Sequence, residues 1–240
     1  MKKSKFITIE GIEGTGKSTV VQYVRDYLQQ SGEEIILTRE PGGTEIAEAI
    51  RKVILQHYKE TMAEDTELLL YFAGRAQHIA SVIRPALAAG KTVISDRFTD
   101  ASFAYQGAGR GISVERLKVL SHWVLKDLKP DLTILLDVPV EVGLARAKKR
   151  GTLDRIESET IEFFERVRQC YLDLAKQFPE QYRIIDANQP LEAVKKEVFF
   201  ILSSAQRVSA NRHASGMSQS RERLAMDGQA GQSQGWRGDR

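Results

Sequence analysis

The stretch Ile7–Thr19, ITIEGIEGTGKST, decides how the rest of the chain reads. A short β-rich run, KFITIE, stops at Gly11, and STVVQYVRDYLQQSG follows with apolar residues at helical spacing up to Gly32. Between them Gly11, Gly16, Lys17 and Ser18 satisfy the pattern G-x-x-x-x-G-K-[ST]. A glycine-rich turn from strand to helix lets backbone N–H groups converge on phosphate oxygens, and the helix N-terminus adds favourable partial charge. Gly11, Ile12, Glu13, Gly14, Thr15, Gly16, Lys17, Ser18 and Thr19 are therefore expected to hold the phosphates of a nucleotide. Lys17 would reach the β- and γ-phosphates, and the Ser18 hydroxyl would ligate Mg²⁺. Glu13 is the anomaly, a carboxylate in the middle of a loop built for anions.

Outward from this loop, EEIILTRE, KTVISDR, DLTILLD and YRIIDA read as four further strands. The segment DTELLLYFAGRAQHIASVIRPALAAG reads as one long helix with a bend or an end near Pro85. Other helices are expected around residues 114–125, 140–149, 157–177 and 191–205. Strands alternating with helices imply an α/β fold, a parallel sheet covered on both faces. One domain over residues 1–205 accounts for all of these elements.

The remaining 206–240 is rich in Ser, Gln, Gly and Arg without an apolar period, and is expected to be a disordered polar tail. Of 35 basic and 32 acidic residues, six and three lie from Ser203 onward, so the body is balanced at 29 of each. A neutral body gives no argument for nucleic acid. The lone Cys170, beside the apolar stripe of a helix, reads as a packing thiol. No apolar run approaches the roughly 20 residues of a membrane span, and MKKSKF leads directly into a strand, so a cytoplasmic protein is expected.

Asp96 and Arg97 stand at the C-terminal end of the strand VISD, where sheets of this kind bind ligands. An acid there suits the Mg²⁺ shell. An Arg beside a phosphate site clamps an oxyanion, unless it only pairs with Asp96 or Glu40. TREPGGT adds Arg39 at a second strand end, followed by a turn and a helix start. A motor or switch ATPase has no use for a second cationic pocket; a kinase whose acceptor is itself a phosphate does. RAKKRGTLDRIES, around residues 146–156, carries Arg146, Lys148, Lys149, Arg150 and Arg155. Either it is a solvated basic helix end, or it is a lid whose Arg residues neutralise charge on the donor. The absence of any Arg at residues 12–15 favours the lid.

Taken in order, FITIEGIEGTGKST, TREPGGT, LLLYFAGR, SDRF, AYQGAGRG, PDLTILLDVPVEVGLARAKKRG and LDRIE resemble bacterial thymidylate kinase over about residues 5–202. The resemblance implies a P-loop, nucleoside monophosphate kinase-like fold with five parallel strands. It also implies a homodimer that transfers the γ-phosphoryl of ATP to dTMP with Mg²⁺, in dTTP biosynthesis. The phosphate loop without Arg is similar to the variant of the family whose catalytic Arg comes from the lid. Lys17, Arg97, Arg150 and Arg155 are then the catalytic residues, and Ser18 and Asp96 the metal ligands. For the acceptor, the resemblance puts Tyr71 on the thymine face, Arg75 on its carbonyl and Ser102 at the base edge. Tyr105 crowds the sugar C2′, Gln106 is a polar contact, and Arg39 and Arg97 hold the phosphate. Glu13 is implied to point away from the donor, toward the acceptor 3′-hydroxyl, since a carboxylate suits an O–H and repels phosphate.

Three other readings stay open on residues alone. A kinase for dUMP or dCMP would differ at Tyr71, Arg75 and Ser102. A regulatory GTPase or nucleic-acid ATPase would need an N-K-x-D signature or a basic stripe, and the chain has neither. A non-catalytic nucleotide binder would not need Lys17, Asp96, Arg97 and the lid together.

Overall fold

Three apolar runs bounded by Gly, Pro or Asp form the centre of the sheet. The computed structural model describes residues 4–149, 151 and 153–204; Arg150 and the tail 206–240 lie outside the described residues. Strands β1 (Phe6–Glu10), β3 (Thr92–Asp96) and β4 (Leu132–Asp137) are central and almost wholly buried. β2 (Ile35–Arg39) and β5 (Tyr182–Asp186) are the half-buried edges. All pairings are parallel, in the order β2-β3-β1-β4-β5. Burial on both faces explains why the central strands read as continuous apolar runs rather than alternating ones. Progress across the sheet reverses beside β1, so the loop after β1 opens at the switch point where α/β sheets bind ligands. Register brings Arg39 opposite Asp96, and Asp96 opposite Ile9, so the strand ends carrying polar residues share one edge.

The helices α1 (Lys17–Gln30), α6 (Val114–Leu125), α7 (Val140–Lys148) and α8 (Ile161–Gln177) occupy the expected segments. The last expected helix is present at 191–204, and the compact unit that holds the sheet ends at Val198. α8 begins later than expected because Thr160 caps it, its hydroxyl accepting from the Phe163 N–H. The helix start after TREPGGT is α2 (Glu45–Leu55), capped by Thr44.

The long helix is interrupted in the way Pro85 dictates. α3 (Glu64–His78) passes into a π turn over Ile79–Ile83, and α4 (Arg84–Ala88) resumes. The Arg84 N–H reaches back five residues to Ile79. Pro85 has no N–H to continue the ordinary ladder, so the widened turn absorbs the mismatch. A second widened turn follows β3: α5 (Thr99–Ser102) runs into Phe103–Gly109, closed by Arg110 N–H to Tyr105 O at 2.9 Å. Periodicity gave no expectation for it. One apolar cluster joins Phe6, Val93 and Phe98 to Ile79, Ile83 and Ala86; another joins Leu68 and Phe72 to Ile112 and Leu117. Together they clamp α3 and its π turn beside the sheet edge where the polar residues gather. Among the described residues no helix is long and apolar enough to cross a membrane.

Candidate active site

The phosphate loop is shaped by contact with α7. Gly14 has φ 73°, and a Cβ there would fall 2.0 Å from the Gly143 carbonyl oxygen. A Cβ on Gly143 would in turn meet the Glu13 carbonyl oxygen at 2.6 Å. Only two glycines permit this approach, and it brings Arg146 of α7 beside the loop. Gly16, also left-handed, leads into α1, which has no side-chain cap and no acid in its first turn. Its first N–H groups are thus left for an outside acceptor. Lys17 donates to the Gly11 and Ile12 carbonyls at 3.0 and 2.8 Å. Burial, reinforced by Arg97, pushes its pKa down to about 8.

A cavity of about 540 Å³ opens from this loop. Gly14, Gly16, Lys17, Ser18 and Thr19 line it at the phosphate loop, while Gly11, Ile12 and Thr15 stand behind and shape the loop. Thr15 donates to the Ile12 carbonyl at 3.1 Å. Asp96 lines the cavity with a buried Oδ1 that has no partner among the described residues. Ser18 shares this wall. No group of three or more His, Cys, Asp or Glu among the described residues could hold a metal alone.

Arg97 follows Asp96 with φ 71°, a conformation an L-residue rarely adopts and one that costs about 1–3 kcal/mol. The fold holds it by Arg97 N–H to Ile9 O at 3.0 Å and Ser95 Oγ to Arg97 O at 2.7 Å. That turn throws the guanidinium across to Glu13 (2.8 Å) rather than to Asp96 or Glu40. It also donates to Tyr171 Oη at 3.2 Å and lies over the Tyr105 ring, 4.8 Å from its centre. The Tyr105 hydroxyl lies 2.9 and 2.8 Å from the two Glu13 carboxylate oxygens. Tyr171 in turn donates to Glu10 at 2.7 Å, and Glu10 also accepts from the Phe98 N–H. Burial, with Asp100 adding to it, pushes Glu10 up to about 8. The puzzle of Glu13 resolves here. Its carboxylate is turned off the phosphate loop into an Arg–Tyr pair that also lines the cavity.

Beyond that pair, Tyr71 and Arg75 line the same wall one helical turn apart. The Arg75 guanidinium is fully engaged, donating to Glu40 (2.7 Å), Ser102 Oγ (3.0 Å) and Phe98 O (3.0 Å). It also lies 4.9 Å from the Phe72 ring centre. Glu40 accepts from His78 Nδ1 as well, at 2.9 Å. Ser102 is buried behind Arg75 and does not line the cavity. The Tyr71 hydroxyl has no hydrogen-bond partner among the described residues, and burial raises its pKa. Gln106 lines the cavity and donates to Glu67 at 2.9 Å. Arg39 stands at the rim, paired with Glu48 at 3.0 Å. Next to it is Arg51, a residue the sequence reading missed. It lines the cavity and donates to Pro41 O at 2.8 Å.

The basic segment that begins in the last turn of α7 divides. Arg146 lines the cavity and donates to Ala187 O at 2.9 Å. Arg150 lies outside the described residues. Arg155 does not line the cavity: it is bound to Glu67 at 2.7 Å and donates to Ile54 O at 2.8 Å. Its neighbours Asp154, Ile156 and Glu157 do line the cavity. The lone thiol of Cys170 is pushed up to about 11 by burial, which suits a packing role.

The family model described as thymidylate kinase matches residues 9–198. The thymidylate kinase of Pseudomonas putida (strain W619) is 57% identical over 197 residues, 82% of this chain and 95% of that protein. That of Vesicomyosocius okutanii is 52% identical over 204 residues, 85% of this chain and 100% of its own. The crystal structure of thymidylate kinase from Ehrlichia chaffeensis superposes with a TM-score of 0.67 at 34% identity, covering 83% of this chain and 98% of that one. The open helix end with its half-buried Lys, the acid and Arg at the end of β3, and the matched length agree: the chain belongs to the thymidylate kinase family.

Proposed function

We infer that this protein phosphorylates dTMP to dTDP with ATP as donor. The observation that carries the reading is one cavity with two differently built ends. The donor end is backbone N–H groups and Lys17; the acceptor end is Tyr71, Arg75 and Gln106; Arg97 stands between them. Tyr71 supplies a face on which a planar base stacks. Arg97, Arg39 and Arg51 are the cations available to the acceptor phosphate, and Glu13 with Tyr105 the groups available to its sugar.

The donor set fits Mg²⁺. A buried, unpartnered carboxylate oxygen on Asp96 and the Ser18 hydroxyl are hard oxygen ligands, and nucleotide phosphates would complete the shell. When bound, the ion supplies charge neutralisation to the triphosphate. The chain's own residues do the rest. A phosphomonoester has a second pKa of about 6, so the acceptor is already nucleophilic at neutral pH and no side chain need remove a proton. Lys17 leaves its loop carbonyls for phosphate oxygens. Arg97 holds the acceptor phosphate while its link to Glu13 fixes the guanidinium plane. On the lid side Arg146 already faces the cavity, and Arg150 belongs to the same segment. Arg155 stays with Glu67 in this reading and anchors the lid rather than meeting a phosphate.

The chain acts as a homodimer in this reading. Ile46 and Val53 on α2, Leu69 on α3, and Val119 and Trp123 on α6 are exposed apolar side chains on helices of which α2 and α6 both pack against α3, and they are the surface such a pairing would use. A cytoplasmic setting suits its substrates. The test is a coupled assay with ATP and Mg²⁺ over dTMP, dUMP, dCMP and their ribose forms. dTMP should give the highest kcat/KM, and equal turnover of dCMP would overturn the assignment of Tyr71 and Arg75 to the base.

A further inference from the structure

Glu67 lies at the heart of a polar cluster that the reaction above does not use. It sits in the first turn of α3 and is 1% exposed. Its carboxylate accepts from three side chains on two other segments. Oε1 takes Gln106 Nε2 at 2.9 Å and Arg110 Nε at 3.3 Å; Oε2 takes Arg110 at 3.2 Å and Arg155 at 2.7 Å. Arg110 has a second acid, Glu159, at 2.6 Å. For Arg155, Glu67 is the sole carboxylate partner among the described residues, and its other terminal nitrogen is buried without one. The Arg155 N–H also bonds Leu55 O at 3.2 Å, so this part of the lid is seated on the end of α2 and on α3.

Gln106 lines the cavity itself, whereas Arg155 stands behind it and anchors the turn whose Asp154, Ile156 and Glu157 line it. We propose that Glu67 is a positioning residue coupling acceptor occupancy to lid closure, through Gln106 on one carboxylate oxygen and Arg155 on the other. An acceptor that engages the Gln106 amide fixes its orientation, which strengthens its bond to Glu67 and keeps the carboxylate aimed at Arg155. The lid is then held down, and the donor is enclosed more tightly. The converse holds by linkage: a donor that closes the lid favours the acceptor by the same factor. This rests on the reading of the cavity as a dTMP kinase site.

The experiment is calorimetric titration of the full chain with AMP-PNP and Mg²⁺, without dTMP and with saturating dTMP. The quantity read is the ratio of the two AMP-PNP dissociation constants. In the wild-type protein dTMP should tighten AMP-PNP by ~10-fold, the ordinary scale of site coupling. In Glu67→Gln and in Arg155→Gln the ratio should fall to within about twofold of one. The double variant should lose no more than either alone, because all three break the same link. A purely structural Glu67 would lower Tm but leave the ratio at its wild-type value, and that result overturns the proposal. So does a wild-type ratio of one. If Glu67→Gln does not fold, Arg155→Gln carries the test alone, since it removes only the lid half. Failure of the wild-type protein to bind or phosphorylate dTMP would sink the functional reading instead, which the panel assay detects separately.

Discussion

At the residue scale, the proposed role of Lys17 predicts that donor binding is proton-linked. Burial first, then Arg97, hold its pKa at about 8 in the free protein. Polyphosphate in contact with the ammonium must raise that value, because opposite charge favours the charged form. A ligand that raises a pKa binds best where the group is protonated. ATP affinity should therefore be constant below pH 8 and fall as pH rises through 8 toward the bound-state pKa. Calorimetry at pH 9 in two buffers of different ionisation enthalpy should show proton uptake on binding; none would mean that Lys17 does not meet the nucleotide. Arg97 is a case of strain kept for position: a left-handed residue, tied by two backbone contacts, aims a guanidinium at Glu13 and the open cavity. With Arg97 on the acceptor phosphate as proposed, Arg97→Ala would remove a charge-assisted contact worth a few kcal/mol in the transition state, so kcat/KM for dTMP should drop by ~10²-fold or more. Unchanged kcat/KM would make Arg97 a structural partner of Glu13 only.

At the scale of elements, the position of the loop depends on how closely α7 packs against it. Gly143→Ala would drive a methyl into the Glu13 carbonyl oxygen, a backbone atom that cannot swing aside as a flexible side chain would. Overpacking of this kind costs about 1–3 kcal/mol. The expected result is a lower Tm together with a higher KM for ATP, read by thermal melts and initial rates; unaltered values would show that the helix can back away freely. The strands and α1 were legible because their signals are local: apolar runs for β1, β3 and β4, and a glycine spacing for the loop. The turn at Phe103–Gly109 was not, since its widened register matches no helical period and its glycines read as loop. Nor was the position of Arg155. A basic run states charge but not direction, and the acid that captures Arg155 is Glu67, 88 residues away in sequence on α3. Ser102 shows the same limit, a matched motif position that lies behind Arg75 instead of at the cavity wall.

At the scale of the whole molecule, the cavity walls also build a surface. α3 buries Leu68, Phe72 and Arg75 inward, and shows Leu69, Ala73, Ala76 and Ala80 of the α3–π segment outward at helical spacing. Two helices pack against α3: α2, with Ile46 and Val53 exposed, and α6, where Val119 is 69% and Trp123 73% exposed. Isolated exposed apolar residues need no explanation, but a Trp beside a small-residue stripe on adjoining helices does. Large aromatics in such patches carry much of the binding energy where they become buried, and a self-complementary face closes as a twofold dimer. Because α3 also carries Tyr71, Arg75 and Glu67, pairing through this face would brace the acceptor wall without entering it. Replacing Val119 and Trp123 together by Glu sets like charges opposite one another across a twofold contact and leaves the cavity lining untouched. At about 10 μM the wild-type protein should scatter light as a dimer and the double variant as a monomer, with a lower Tm and a higher KM for dTMP. A wild-type protein that elutes as a monomer at that concentration, or a variant that stays dimeric, would exclude this face as the contact.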